Sequence, residues 1–271
     1  MTLPLEKEAL RKQLQEFYGT SQAYLEHLDI EDEKYFKRYL SFIERYAPRT
    51  ETVLDLGCGT GFSSYLLSQR KKWVIGMDLS ELFLKRGNER RNSPNLLRVT
   101  GDIQELPFRE GAFDLVSSYQ VIETLPDVKK GIEEMTRVLK KKGVLIIIAA
   151  NLLSPIWPLR DFFRLLCGGQ GRPVWCESPQ AAFHIFRQNL MTGIRKWFER
   201  EPRFLYRQPD LTCRKVVGRD SESVCLVAPI DIARILKKKG FRILRMGSQS
   251  GWIEKLFPSF SVALEIVAEK I

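Results

Sequence analysis

The nine residues Val53–Gly61, VLDLGCGTG, constrain this chain more than any other stretch. An apolar run is broken by Asp55, glycines follow at 57, 59 and 61, and helix-compatible sequence comes next. This is the pattern of a buried strand turning sharply into a helix, where a ligand approaches bare backbone. Glycine accepts positive φ there and has no Cβ to hold the ligand away. The dinucleotide fingerprint needs another glycine at the sixth position from Gly57, for close helix–strand packing, but Phe62 stands there. A Walker-type phosphate loop needs Gly-Lys-Ser/Thr, and no lysine follows Gly61 before Lys71. Asp55 adds an electrostatic argument. A carboxylate two residues ahead of the first glycine repels a pyrophosphate and suits a ligand with a positively charged end.

Further strands with acidic tips follow. Trp73-Val74-Ile75-Gly76-Met77-Asp78 reads as a second buried strand, and Asp78 lies 23 residues after Asp55. That is close to the ~20-residue spacing that sets a carboxylate against ribose hydroxyls in a βαβ unit. Residues 95–102 supply a third strand ending at Asp102, and residues 113–118 a fourth. Strands are expected at 52–56, 73–77, 96–99, 113–118 and 143–149, with helices at about 61–70, 81–92 and 128–140. Such alternation makes a parallel sheet with helices on both faces.

With these blocks in view, the chain resembles the class I S-adenosylmethionine (SAM)-dependent methyltransferases. VLDLGCGTG, VIGMDLS, GDIQELPF, FDLVSSYQVIETLPD and EEMTRVLKKKGVLIII occur in the family's order between residues 50 and 150, and the likeness resumes over 229–271. The resemblance implies an α/β fold with a seven-stranded Rossmann-like sheet of order 3-2-1-4-5-7-6, the last strand antiparallel. It implies SAM as cofactor and no metal. Asp55, Gly57, Cys58, Gly59 and Gly61 would form the loop around the methionine end, and Asp78 would hold the ribose. Leu79 would pack on the adenine, with Asp102 and Ile103 at its edge. Tyr119 and Gln120 would approach the methionyl part and face the substrate. Two departures are visible: Glu123-Thr124 replaces a frequent Glu-His, and Lys141-Lys142-Gly143 replaces a usual Pro-Gly-Gly.

Four segments follow: N-terminal helices over 1–49 roofing the SAM site, a core over 50–151, an insertion over 152–228, and a C-terminal return over 229–271. In the first, Tyr35, Phe36, Tyr39, Leu40, Phe42, Ile43 and Tyr46 form a one-faced apolar stripe beginning near Asp29 or Asp32. Tyr18, Tyr24 and His27 would then lie near the ligand. No stretch reaches the ~18 apolar residues of a spanning helix, and MTLPLEKEAL lacks the apolar core of a signal peptide. The cysteines at 58, 167, 176, 213 and 225 form no Cys-x-x-Cys pair. A reduced, cytoplasmic protein is expected.

The formal charge of +10 is uneven: residues 152–219 hold twelve Arg/Lys against five Asp/Glu, which is +7, and three of the five tryptophans. Gly168–Gly171 marks a turn, a helix is expected over 181–198, and a small hairpin near 204–227. This segment reads as a basic, aromatic cap over a small amphipathic, lipid-like or aromatic acceptor. Its amphipathic helix also suits peripheral contact with an anionic membrane. The alternatives are an RNA or protein methyltransferase using the same basic cap, and a SAM-binding protein without turnover. His184, Tyr119 and Glu123 are the candidate bases or positioning groups, with His27 the second histidine. No Asn/Asp-Pro-Pro-Tyr or Pro-Cys motif of DNA methylation occurs.

Overall fold

The computed structural model describes residues 4–168, 176–211, 222–248 and 256–271. Three helices lead: α1 (Pro4–Thr20), α2 (Gln22–Asp29) and α3 (Glu33–Tyr46). Asp32 caps α3 by accepting from the Tyr35 N–H, which decides between the two aspartates offered by the sequence. The core then runs β1 (Thr52–Leu56), α4 (Phe62–Ser68), β2 (Trp73–Asp78), α5 (Glu81–Arg90), β3 (Leu96–Thr100), β4 (Phe113–Tyr119), α6 (Val128–Arg137) and β5 (Leu139–Ala150). The insertion supplies α7 (Ile156–Leu166), α8 (Pro179–Phe198) and a two-residue-stranded hairpin, β6 (Leu205–Tyr206) with β7 (Cys225–Leu226). The chain closes with α9 (Pro229–Lys238), β8 (Phe241–Met246) and β9 (Ala263–Lys270).

The main sheet has the order β3-β2-β1-β4-β5-β9-β8, with β9 antiparallel to both neighbours. Leaving out the small hairpin, this is the expected 3-2-1-4-5-7-6. Its central strands β1, β4, β5 and β9 are buried on both faces because successive side chains alternate between two cores. Leu145, Ile147 and Ala149 of β5 join the side packed by Ile132 of α6 and Ile232 and Leu236 of α9. Val144, Ile146 and Ile148 join the other side, against Phe36, Tyr39 and Ile43 of α3 and Leu66 and Leu67 of α4.

One boundary departs from expectation. Helix α6 stops at Arg137, not near 140, and β5 begins at Leu139, paired with Phe113. Arg137 donates to the Phe108 and Leu106 carbonyls and so anchors that end of α6 to the preceding loop. Lys142 then takes φ 60, and the register shifts between Phe113 and Leu115. A tertiary anchor and a strand irregularity therefore overrode the helical propensity of the lysine run.

The insertion is tied to the carboxyl end of β5. Asn189 of α8 donates to the Leu152 and Ser154 carbonyls at 3.2 and 3.1 Å. Buried Lys196 pairs with buried Asp231 at the start of α9. Within the sequence-predicted turn, Gly169–Gly171 lie outside the described residues, as does Cys213. Among the described residues, no helix is long and apolar enough to cross a membrane.

Candidate active site

A cavity of about 230 Å³ opens at the carboxyl ends of β1, β2, β3 and β4, the edge where open α/β sheets hold ligands. The loop after β1 hangs from β2, with the Gly57 and Cys58 N–H groups donating to the Met77 carbonyl at 2.7 and 3.2 Å. Gly57, Gly59 and Gly61 take φ values of 67, 58 and 74, where a side chain would be strained. A Cβ on Gly57 would stand 2.3 Å from Val121, and one on Gly59 3.2 Å from Leu28. The backbone is therefore bare where the cavity reaches it.

Asp55 is fully buried beneath the loop. It accepts from the hydroxyls of Tyr39, Ser63 and Ser64 at 2.5, 2.6 and 2.7 Å. These bonds clamp β1 to α3 and α4. Burial still pushes its pKa upward, against the pull of the three hydroxyls. Asp78 accepts from the Gly59 and Ser80 N–H groups at 2.8 and 2.9 Å, and burial raises its pKa to about 6.

A raised folded-state pKa means that the ionised carboxylate costs stability. That cost is absent below the ordinary carboxylate range and grows as pH rises through about 6. Urea unfolding of the ligand-free protein should show wild type losing stability relative to Asp78→Asn over that window. A constant difference from pH 4 to 8 would remove the assignment.

At the end of β3, Asp102 accepts from Arg11 of α1 at 2.5 Å and from the Gln104 N–H at 2.7 Å. Gln120, just past β4, holds φ 58 without being glycine, with its N–H donating to the Ile148 carbonyl at 2.7 Å. Among the described residues this conformation occurs outside glycine only here and at Lys142.

The sequence-expected cofactor residues Asp55, Gly57, Cys58, Gly59, Asp78, Leu79, Asp102, Ile103, Tyr119 and Gln120 all line this cavity. Gly61 does not; it is the N-cap of α4, and a Cβ there would stand 2.4 Å from Nε of Arg98. Of the candidate bases, Tyr119 and Glu123 line the cavity. Tyr119 stacks on Tyr39 at 5.2 Å, its hydroxyl donates to the Tyr35 carbonyl, and burial raises its pKa, so its proton is held and its ring forms a wall. His184 does not join them. It is exposed on α8, and the face of α8 turned to the protein carries Ala182, Asn189, Gly193 and Lys196 instead.

The roof comes from the N-terminal helices. Tyr18, Tyr24, His27, Leu28 and Glu31 line the cavity, whereas the described part of the insertion contributes Glu222. Tyr24 stacks on Phe83 of α5 at 5.8 Å. Lys7 reaches Asp127 at 2.8 Å, and Asp29 of α2 pairs with Arg86 and Arg90 of α5. The sequence reading did not single out Arg11, Leu28, Glu31 or Phe83. The available signal was the run of charges and aromatics on α1 and α2, whose partners lie some 60 to 120 residues away.

The residues present fit a ligand with a cationic end. Six carboxyl groups and one guanidinium line the cavity, and burial raises the pKa of three of the carboxyls, Glu31, Asp55 and Asp78. A positive ligand would lower that cost; a pyrophosphate would increase it.

This sheet order, with the glycine loop after β1 and acidic tips on β1 and β2, defines the Rossmann-like class I methyltransferase fold. Residues 54–147 match the family model described as "Methyltransferase domain". The chain is 30% identical over 156 residues to a demethylmenaquinone methyltransferase of Corynebacterium efficiens, covering 56% of this chain and 63% of that one. It is 31% identical over 212 residues to a chloroplastic tocopherol O-methyltransferase of Arabidopsis thaliana, covering 63% and 60%. The matched length is thus less than two thirds of either relative. A SAM-dependent methyltransferase structure from Mesorhizobium loti shares the fold, at TM-score 0.51 and 16% identity, covering 87% of this chain and 97% of that one. Residues 54–147 thus carry a domain of the methyltransferase family, set on a sheet of the class I methyltransferase order.

Proposed function

We propose that this protein transfers a methyl group from SAM to a small amphipathic or lipid-like acceptor. The observation that carries the first half is the excess of carboxyl groups around a bare glycine loop. SAM, when bound, supplies a methyl carbon already activated by its sulfonium for in-line displacement. The chain's own task is to align donor and acceptor and to exclude water. Asp78 would accept from the ribose hydroxyls, and the carboxylate of Asp55 favours the ammonium end through space. Leu79 and Ile103 would wall the adenine, and the Arg11–Asp102 pair closes its outer edge. Tyr18 and Tyr24, held against Phe83, keep solvent from the roof.

Glu31 stands in the same lining with its pKa raised to about 7 by burial. A carboxylate of that basicity can take a proton from a hydroxyl acceptor near neutral pH. The lipid-like acceptor is supported by the two relatives whose names specify demethylmenaquinone and tocopherol. A cavity of about 330 Å³ in the insertion, lined by Leu152, Leu153, Trp157, Ile185, Leu205 and Leu226 together with Ser154, Gln188, Asn189, Thr192 and Arg207, offers an amphipathic acceptor a further place to lie. Titration calorimetry is expected to show SAM binding and no response to NAD. NAD binding, or folded protein that ignores SAM, overturns the reading.

A further inference from the structure

The insertion carries an apolar face that the rest of the described chain leaves uncovered. Of fifteen large hydrophobic side chains exposed on the described residues, nine belong to α7, α8 and the pair Leu256–Phe257. On α8, Phe183, Met191, Ile194 and Phe198 recur at helical spacing as one outward stripe, opposite buried Ala182, Asn189 and Gly193. Phe162 of α7 joins the stripe by its ring contact with Phe183 at 5.6 Å, and Trp197 meets Phe257 at 5.5 Å at the other end. A contiguous patch of this kind marks an interaction surface; singly scattered apolar residues do not.

The charge on these helices has one sign. Arg187 and Arg195 are exposed between the apolar positions of α8, and Arg160 is exposed on α7 above the Trp157 ring. Helix α8 contains no acidic residue of its own, its C-cap Glu199 pairs with Arg195 at 3.1 Å, and the single one on α7, Asp161, is buried. A two-fold pairing of this face with a second copy would set Arg160 and Arg187 against their own copies, with only Glu199, already paired to Arg195, at the end of α8 to answer them. Phosphate headgroups answer them directly, while the interleaved aromatic and aliphatic side chains reach the acyl boundary.

We propose that the α7–α8 face is a peripheral docking surface for an anionic phospholipid bilayer. The α8 stripe enters the headgroup region, and Arg160, Arg187 and Arg195 lie on the phosphates. This goes beyond the methyl-transfer reading and does not depend on it, since docking is measured without SAM.

The test is flotation of the full chain with vesicles of phosphatidylcholine and phosphatidylglycerol, and with phosphatidylcholine alone. Wild type is expected to float with the anionic vesicles at low salt. Arg187→Gln/Arg195→Gln should weaken that partition by about 30-fold, at ~1 kcal/mol per surface charge, and leave any neutral-vesicle binding unchanged. Met191→Ser/Phe198→Ser should weaken it by more than about tenfold at unchanged charge. Both pairs are solvent-exposed, and an unaltered thermal unfolding transition certifies the folded protein. Absence of wild-type flotation overturns the proposal, as does flotation indifferent to both variants. A wild-type dimer that Met191→Ser/Phe198→Ser converts to monomer overturns it in favour of a self-interface. SAM binding without flotation sinks docking alone; flotation without SAM binding sinks methyl transfer alone.

Discussion

Gly87→Ala is expected to destabilise the protein by at least about 3 kcal/mol, although it improves a helix. Position 87 lies inside α5, where alanine is favoured over glycine by ~1 kcal/mol. A Cβ there would stand 1.7 Å from the Thr60 carbonyl oxygen. Both contacting groups are fixed by backbone, Thr60 within the glycine loop and residue 87 within the helix, so neither can yield by a rotamer change. Helix α5 would have to move off the loop that carries Gly59 and Gly61. Overpacking of this kind costs ~1–3 kcal/mol when side chains can adjust and more when backbone must. The clash therefore outweighs the propensity gain. Thermal unfolding by circular dichroism should fall by roughly 5–10 °C in a chain of this size. A transition unchanged or raised, as propensity alone requires, would show that the loop and helix are not packed as described.

Asp78→Ala is expected to weaken SAM binding by about 100-fold or more while leaving the ligand-free fold intact. A carboxylate accepting two hydroxyl hydrogen bonds contributes ~1.5–3 kcal/mol for each. In the free protein the same group stabilises little: burial disfavours its charge, and the Gly59 and Ser80 N–H groups offset that only in part. The loss should therefore fall on affinity, while the ligand-free unfolding midpoint should not fall. Calorimetry with SAM, paired with a urea melt, separates the two. Unchanged affinity would take the ribose away from Asp78, and a collapsed melt would make its role structural.

The core was legible because its signals are local. Short apolar runs in 52–56, 73–77 and 113–118 describe buried strands wherever they are placed, and positive φ at 57, 59 and 61 is a demand that the glycines state by themselves. The boundary at 137–139 was not legible, because Arg137 ends α6 through carbonyls nearly thirty residues upstream. The same holds for Asp55. Its acidity suggested a contact with the ligand's positive end, whereas the fold surrounds it with the hydroxyls of Tyr39, Ser63 and Ser64, so that it also clamps the sheet to two helices.

His184 shows the limit most clearly. Its residue type invited a catalytic reading, but a helix has an inner and an outer face, and composition does not say which. Asn189 and Lys196 select the inner face of α8 by bonding to the end of β5 and to α9, and His184 is left in solvent. The same selection turns Phe183, Met191 and Phe198 outward and makes the surface assigned to lipid.

The amino-acid sequence by itself determined the glycine loop, the acidic strand tips and the order of the core elements, because these follow from residue periodicity and backbone φ. Only the tertiary structure decided that Arg11, Leu28 and Glu31 join the expected roof and that the described insertion contributes little to the cavity lining. Those outcomes rest on pairs such as Arg11–Asp102 and Tyr24–Phe83, whose energies exist only once residues distant in the chain have been brought together.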